Sequence, residues 1–281
     1  MTVCIAVTPH FRSEIILVSD QLLSSEVTSV EAGLKLTKLA PGIEWYIMFA
    51  GDATRFQPLV ERMREPLGDV KETRLELRTT IALAERAYHV ETTNLIEAEI
   101  LGPYGLTRDD FVKKGRRWLG PATYAQLFEQ IGSTDLGIEI LVVGLDAIAQ
   151  TQMFSVSSRG SATRTVLPYH AIGSGSYLAL GALYQFAFPT MDLEENVYRT
   201  CAAKFAAEAA PGVGKGTHAM VVDPLMDRWA MLFNLDDLRK EWQRNGQPPI
   251  PAAAKRLIHR DLKPMRTFPL QRVPKRKPKK Q

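Results

Sequence analysis

Apolar positions along the chain follow two kinds of pattern. Residues 3–7 (VCIAV), 14–19 (EIILVS) and 43–50 (IEWYIMFA) are nearly continuous apolar runs of strand length. Such runs predict strands covered on both faces. The first two flank the turn-rich stretch 8–13 and predict a hairpin, with Asp20 at the end of its second strand. Residues 21–34 are polar and small, the pattern of a loop or irregular strand. Residues 35–39 alternate, as a half-buried strand does, and Ala40-Pro41-Gly42 is a turn signal. The period then changes. Phe56, Leu59, Val60 and Met63 share one helical face. Residues 73–101 predict a long helix with Leu77, Ile81, Ala84, Tyr88, Leu95 and Ile96 inward, stopped by Gly102-Pro103. Shorter helical patterns cover 108–118 and 122–131.

Strands return at 137–146 and 151–158, a predicted hairpin, and at 163–172. Gly173-Ser174-Gly175-Ser176 leads into an apolar helix over 177–188. Asp192 and Glu195 have the spacing of a helix-capping box for 193–209. Strands at 218–222 and 228–233 and a helix over 235–244 close the body. Strands, helices, strands, helices, strands is not βαβ alternation. It predicts an α+β chain of two antiparallel-rich sheets faced by helices, a four-layer αββα sandwich.

Composition divides the chain into a body, residues 1–246, and a Pro/Lys/Arg-rich tail, residues 247–281, that reads as disordered. The body carries a long helical insert at about 66–131. The net charge of +4 belongs to the tail: from His259 onward nine Lys/Arg face one acid, Asp261, so the rest of the chain is net negative by four. A basic tail of this kind could dock a polyanion. No apolar run approaches the ~18 residues that span a membrane. The two cysteines, Cys4 and Cys201, have no CxxC spacing, so neither a disulfide framework nor a metal site is expected. No signal peptide is read at the amino terminus, and a cytoplasmic, reducing setting is expected. No cofactor is expected. Gly214-Lys215-Gly216-Thr217 lacks the spacing of a phosphate loop and precedes a strand.

The candidate chemistry lies at the start. Met1 is followed by the small Thr2, so removal of Met1 would leave a threonine with a hydroxyl nucleophile and an amine base on one residue. Thr2, Asp20 closing the second strand, Lys35 opening the next, Ala50-Gly51 before a helix, and the later LVVGLD … AIGSGSYLALGALYQF together resemble the proteasome β-subunit superfamily. The bacterial HslV and Anbu-type homologues belong to it, and the opening Met-Thr-x-Cys is most similar to the Anbu type. The resemblance implies an N-terminal-nucleophile hydrolase cleaving peptide or amide substrates inside a homo-oligomeric ring, and it leaves open whether an unfoldase partner exists. It implies Thr2 as nucleophile and Asp20 and Lys35 as the charged pair around it. Gly51 would offer its N–H to an oxyanion, and Ser174 would hydrogen-bond around the nucleophile's amine. Residues 209–217 hold neither the Asp nor the Ser that support the nucleophile in many active members. That departure leaves open an inactive proteasome-like scaffold or regulatory subunit.

Overall fold

The computed structural model describes residues 2–9, 13–24, 29–31, 35–68, 74–157, 160–185, 189–190, 192–245, 250–262 and 266–267. Its architecture is the expected α+β sandwich. One sheet runs in the order β10-β1-β2-β11-β12-β13, where β1 is Cys4–Val7, β2 Ile15–Asp20, β10 Tyr169–Ile172, β11 Thr217–Asp223, β12 Arg228–Met231 and β13 Arg266–Thr267. The second runs β5-β6-β7-β8-β9, with β5 Leu36–Ala40, β6 Ile43–Gly51, β7 Ile138–Leu145, β8 Thr151–Val156 and β9 Ala162–Arg164. A separate short pair joins β3 (Leu22–Ser24) and β4 (Ser29–Glu31). Every pairing is antiparallel.

The continuous apolar runs are explained by which side each position faces. In β1, Cys4 and Ala6 pack between the sheets, while Val3, Ile5 and Val7 face helices. Ile15 and Leu17 of β2 are inter-sheet, and Ile16 and Val18 face out to helices. In β6, Tyr46, Met48 and Ala50 are inter-sheet, and Trp45, Ile47 and Phe49 face the opposite helices. A period-2 chain buried on both faces has no place for polar alternation.

Helix α1 (Ala53–Arg64) and helix α2 (Leu77–Leu95) cover the second sheet. Asp52 caps α1 by accepting from the Thr54 N–H. The predicted long helix continues past Leu95 as π-helical turns at Ile96–Leu101. The short helices α3 (Arg108–Asp110) and α4 (Arg116–Leu119) lead to α5 (Pro121–Ser133), and this region has its own small core of Ile96, Ile100, Leu101, Leu106, Phe111 and Leu127. On the first sheet lie α6 (Ser176–Tyr184), α7 (Leu193–Ala207), α8 (Leu235–Asn245) and α9 (Ala252–Leu262).

Two expectations change. The single strand foreseen at 163–172 is two: β9 pairs with β8 in one sheet, and β10 pairs with β1 in the other. The chain crosses between sheets at 165–168, where Pro168 cannot donate to a ladder. The tail foreseen as disordered from 247 begins instead with α9. Ala254, Ile258 and Leu262, spaced by four, lie in the core beside α7 and β12. The apolar spacing was masked by the surrounding Lys, Arg and Pro. Residues 268–281 lie outside the described residues.

Ile258 is fully buried. Ile258→Ala is expected to destabilise the fold by about 2–4 kcal/mol in urea unfolding. A tail that did not dock would leave the midpoint unchanged.

Candidate functional site

Asp20 ends β2, and its N–H bonds the Val3 carbonyl, closing the β1–β2 ladder beside Thr2. Lys35 immediately precedes β5, and its carbonyl accepts from the Phe49 N–H of β6 at 3.3 Å. The two sheets thus deliver one side chain each to the start of β1. Thr2, Asp20 and Lys35 are all almost inaccessible, with 2%, 0% and 2% of their surfaces exposed.

The three groups touch. The Thr2 hydroxyl donates to Asp20 Oδ1, and the Lys35 ammonium donates to the Thr2 Oγ1. Lys35 Nζ also lies 2.9 Å from Asp20 Oδ1. Asp20 Oδ1 further accepts from the Val3 N–H at 3.0 Å. Its second oxygen accepts from the Leu22 and Gly214 N–H groups at 3.2 and 3.1 Å. A buried carboxylate stays ionised only when paired and hydrogen-bonded, and this one is. The arrangement holds a hydroxyl between a cation and an anion, a setting suited to moving its proton.

Ser174 and its glycine neighbours lie against the Thr2 main chain. Gly173 packs on the Thr2 carbonyl: a Cβ built there would fall 2.4 Å from that oxygen and 3.0 Å from the Ala50 side chain. Gly175 N–H donates to the Thr2 carbonyl at 3.2 Å, and the Ser174 hydroxyl donates to it at 3.5 Å. Ser174 therefore engages the Thr2 carbonyl. Gly51 ends β6 opposite Ile138 with φ of +105°, and a Cβ there would overlap the Gly137 carbonyl. Strand geometry demands glycine at this position whatever its chemistry. Lys38, which lies within β5, bonds Glu44 at 2.6 Å instead.

Cys4 is the other nucleophile type at this place. Its thiol donates to the Phe49 carbonyl at 3.0 Å, and burial pushes its pKa far up. It stays protonated and inert. Cys201 is likewise buried, its thiol pushed up to about 12. Among the described residues no group of His, Cys, Asp and Glu is arranged to hold a metal ion, and no helix is long and apolar enough to cross a membrane.

Two residues were missed by sequence reasoning. Glu139 of β7 stands opposite Ala50, in register with the inter-sheet positions Leu141 and Val143. Its Oε2 accepts from the Gly173 N–H at 3.1 Å, and burial raises its pKa. A lone Glu at an inter-sheet position of an apolar strand was the available signal. Lys204 of α7 is wholly buried and donates to the Gly214 and Lys215 carbonyls at 2.9 and 3.1 Å.

Comparison with known proteins bears on the fold. A family model described as "Proteasome subunit" matches residues 122–207, which run from α5 to α7. Thr2, Asp20 and Lys35 lie outside that match. A solved structure of a Gly-1 mutant of Anbu from Hyphomicrobium sp. strain MC1 superposes with a TM-score of 0.59. It is 13% identical, and the alignment covers 87% of this chain and 94% of that one. Comparison with curated proteins finds no match. The expected resemblance to the proteasome-like superfamily is borne out at the level of the fold.

Glu139 yields a test in pH. Desolvation raises its carboxyl above the usual 4.5. As pH rises, the unfolded chain therefore ionises this group first. Stability from the neutral carboxyl is complete below about pH 4 and is lost as pH rises toward the folded-state value. Glu139→Gln keeps an acceptor for Gly173 and removes this loss. It is expected to raise Tm relative to the parent at about pH 7 and to match the parent near pH 4. Equal melting temperatures at both pH values would contradict it.

Proposed function

We propose that this chain, which has the fold of the proteasome-like N-terminal-nucleophile hydrolases, is a threonine-type hydrolase of peptide or amide bonds that acts through Thr2 once Met1 is removed. One observation carries the reading: the Thr2 hydroxyl lies between the Asp20 carboxylate and the Lys35 ammonium, all three buried.

The chemistry follows from that placement. Removal of Met1 frees the α-amine of Thr2, with a reference pKa of about 7.7–8.0, near the pH at which a base works best. The hydroxyl oxygen adds to the substrate carbonyl and its proton passes to the amine. The carbon–nitrogen bond breaks, the amine gives the proton to the leaving nitrogen, and an ester to Thr2 remains. Water then cleaves the ester by the same base. Lys35 keeps positive charge beside the oxygen as it deprotonates, and Asp20 holds Lys35. The Gly51 N–H is the proposed donor to the oxyanion. Ser174 is proposed to steady the Thr2 main chain, since its hydroxyl meets the Thr2 carbonyl. As the resemblance implies, the enzyme works as a homo-oligomeric ring, and the cysteine usage fits a cytoplasmic setting.

A second reading is a silent scaffold of the same fold. The loop 209–217 favours it, because that loop presents to Asp20 only the backbone N–H of Gly214. Thr2→Ala separates the readings.

The parent protein, incubated with a hydroxyl-acylating peptidyl β-lactone, is expected to gain the probe's mass on the peptide that begins at Thr2. Thr2→Ala is expected to abolish labelling and hydrolysis. Asp20→Asn is expected to slow hydrolysis about 10²–10⁴-fold. Full retention of Met1 in protein from the native host would overturn the mechanism, because the base would then be an amide.

A further inference from the structure

The loop that lacks the expected acidic and hydroxyl side chains is held from behind. Along α7 buried polar residues recur every four positions, Asn196, Thr200 and Lys204, with Glu208 at its end. The Thr200 hydroxyl is satisfied by the Asn196 carbonyl at 2.7 Å. Asn196 bonds the Thr190 backbone, and Lys204 reaches the loop before β11. Its ammonium donates to Glu208 Oε1 at 2.5 Å and to the Gly214 and Lys215 carbonyls. Three donors meet three acceptors, so the buried cation is fully satisfied. Arg239 of α8 bonds the other oxygen of Glu208 and the Lys215 carbonyl, and reaches the Thr217 hydroxyl at 3.3 Å.

The same short loop touches the candidate site from its other side. Gly214 is gripped at both ends: its carbonyl by Lys204 and its N–H by Asp20 Oδ2. The approach is too close for a side chain. A Cβ at Gly214 would lie 2.6 Å from that of Leu22 and 3.2 Å from Asp20 Oδ2.

The geometry points to Lys204 as a positioning residue for the Asp20 carboxylate, acting through the Gly214 peptide, with Glu208 and Arg239 fixing Lys204 and the loop. This rests on the reading of Thr2 as nucleophile. It assigns to a lysine on α7 and an arginine on α8 the support that the loop's own side chains do not give. Asp20 touches the Thr2 hydroxyl and the Lys35 ammonium, so a displacement of its second oxygen moves the whole triad. Displacements of about 1 Å at such a site cost about 100-fold in rate.

Lys204→Met keeps the length of the side chain and leaves Glu208 paired with Arg239. Two readouts are measured on the full chain. The first is the rate of Thr2 labelling by the peptidyl β-lactone at saturation, together with the half-saturating concentration. The expected result is a rate about 100-fold lower with the half-saturating concentration unchanged, a split that a general loss of fold does not produce. The second is hydrogen exchange at the Gly214 amide, expected to quicken at least about tenfold as its bond to Asp20 loosens. Labelling at the parent rate would overturn the proposal and leave the Thr2 reading standing. If the parent itself does not label on Thr2, that reading fails, and the amide still decides the positioning link: unchanged protection of Gly214 overturns it, and faster exchange supports it. Should Lys204→Met fail to fold, Arg239→Gln replaces it. Arg239 is only partly buried, and its loss is expected to slow labelling about tenfold with the Gly214 amide exchanging faster; parent values for both would overturn the proposal.

Discussion

A single buried carboxylate sets the terms for the rest of the molecule. Asp20 is wholly inaccessible, and an ion in that setting needs donors on every free lone pair. Five donors meet it: Thr2, Val3, Leu22, Lys35 and Gly214. They come from the start of β1, the turn into β3, the approach to β5 and the loop before β11. Satisfying one side chain therefore requires both sheets and that loop to converge. Removing one partner of such a pair leaves an uncompensated charge, at a cost of about 3–5 kcal/mol. The two-sheet core makes the convergence rigid. Cys4, Ala6, Ile15 and Leu17 of one sheet meet Tyr46, Met48, Leu141 and Val143 of the other within a few residues of the charged cluster.

Charge is paired outward from that point. Lys35 answers Asp20, and Glu208 lies between Lys204 and Arg239. Burial lowers the Lys204 pKa while its bond to Glu208 raises it, so the ammonium depends on its partner to remain charged. Glu139 has no cation among its hydrogen-bond partners and is driven toward the neutral form. The interior thus holds ionised groups where a partner stands and suppresses ionisation where none does.

Much of this was legible in the residues, for physical reasons that differ by position. The runs at 3–7, 14–19 and 43–50 announce themselves because strands covered twice must be continuously apolar. Asp20 stands out because it borders such a run, and Lys35 because it opens an alternating one. The split at 165–168 was hidden because apolar Val166 and Leu167 continue the pattern although both are exposed, Val166 almost entirely. Periodicity records hydrophobicity and not sheet membership. The π-helical turns at 96–101 and 111–115 keep nearly the same apolar spacing as an α-helix and leave no mark in it. Lys204 carries no mark of its own in the sequence, because most helix lysines face solvent. The Gly214 and Lys215 carbonyls that accept from it lie 10 and 11 positions further along the chain and are backbone groups, which no residue pattern displays.

The ion pair at the centre is not explained by stability. Two charges taken from water recover about what they lose, and well-packed apolar residues of similar volume hold a core as well or better. The space between the sheets is otherwise lined by residues of that kind. A structural account of Lys35 and Asp20 therefore leaves their chemistry idle. The hydroxyl of Thr2 is what distinguishes their position: it donates to one and accepts from the other. An apolar pair could anchor β1 to β5, but it could neither take a proton's place beside that oxygen nor hold a cation against it. On the proposed reading the cost of burying the pair is the cost of keeping the oxygen ready to react. The second set of charges, Lys204, Glu208 and Arg239, is then the extension of that cost into the loop that carries Gly214. On that reading its geometry serves to place Asp20 through Gly214.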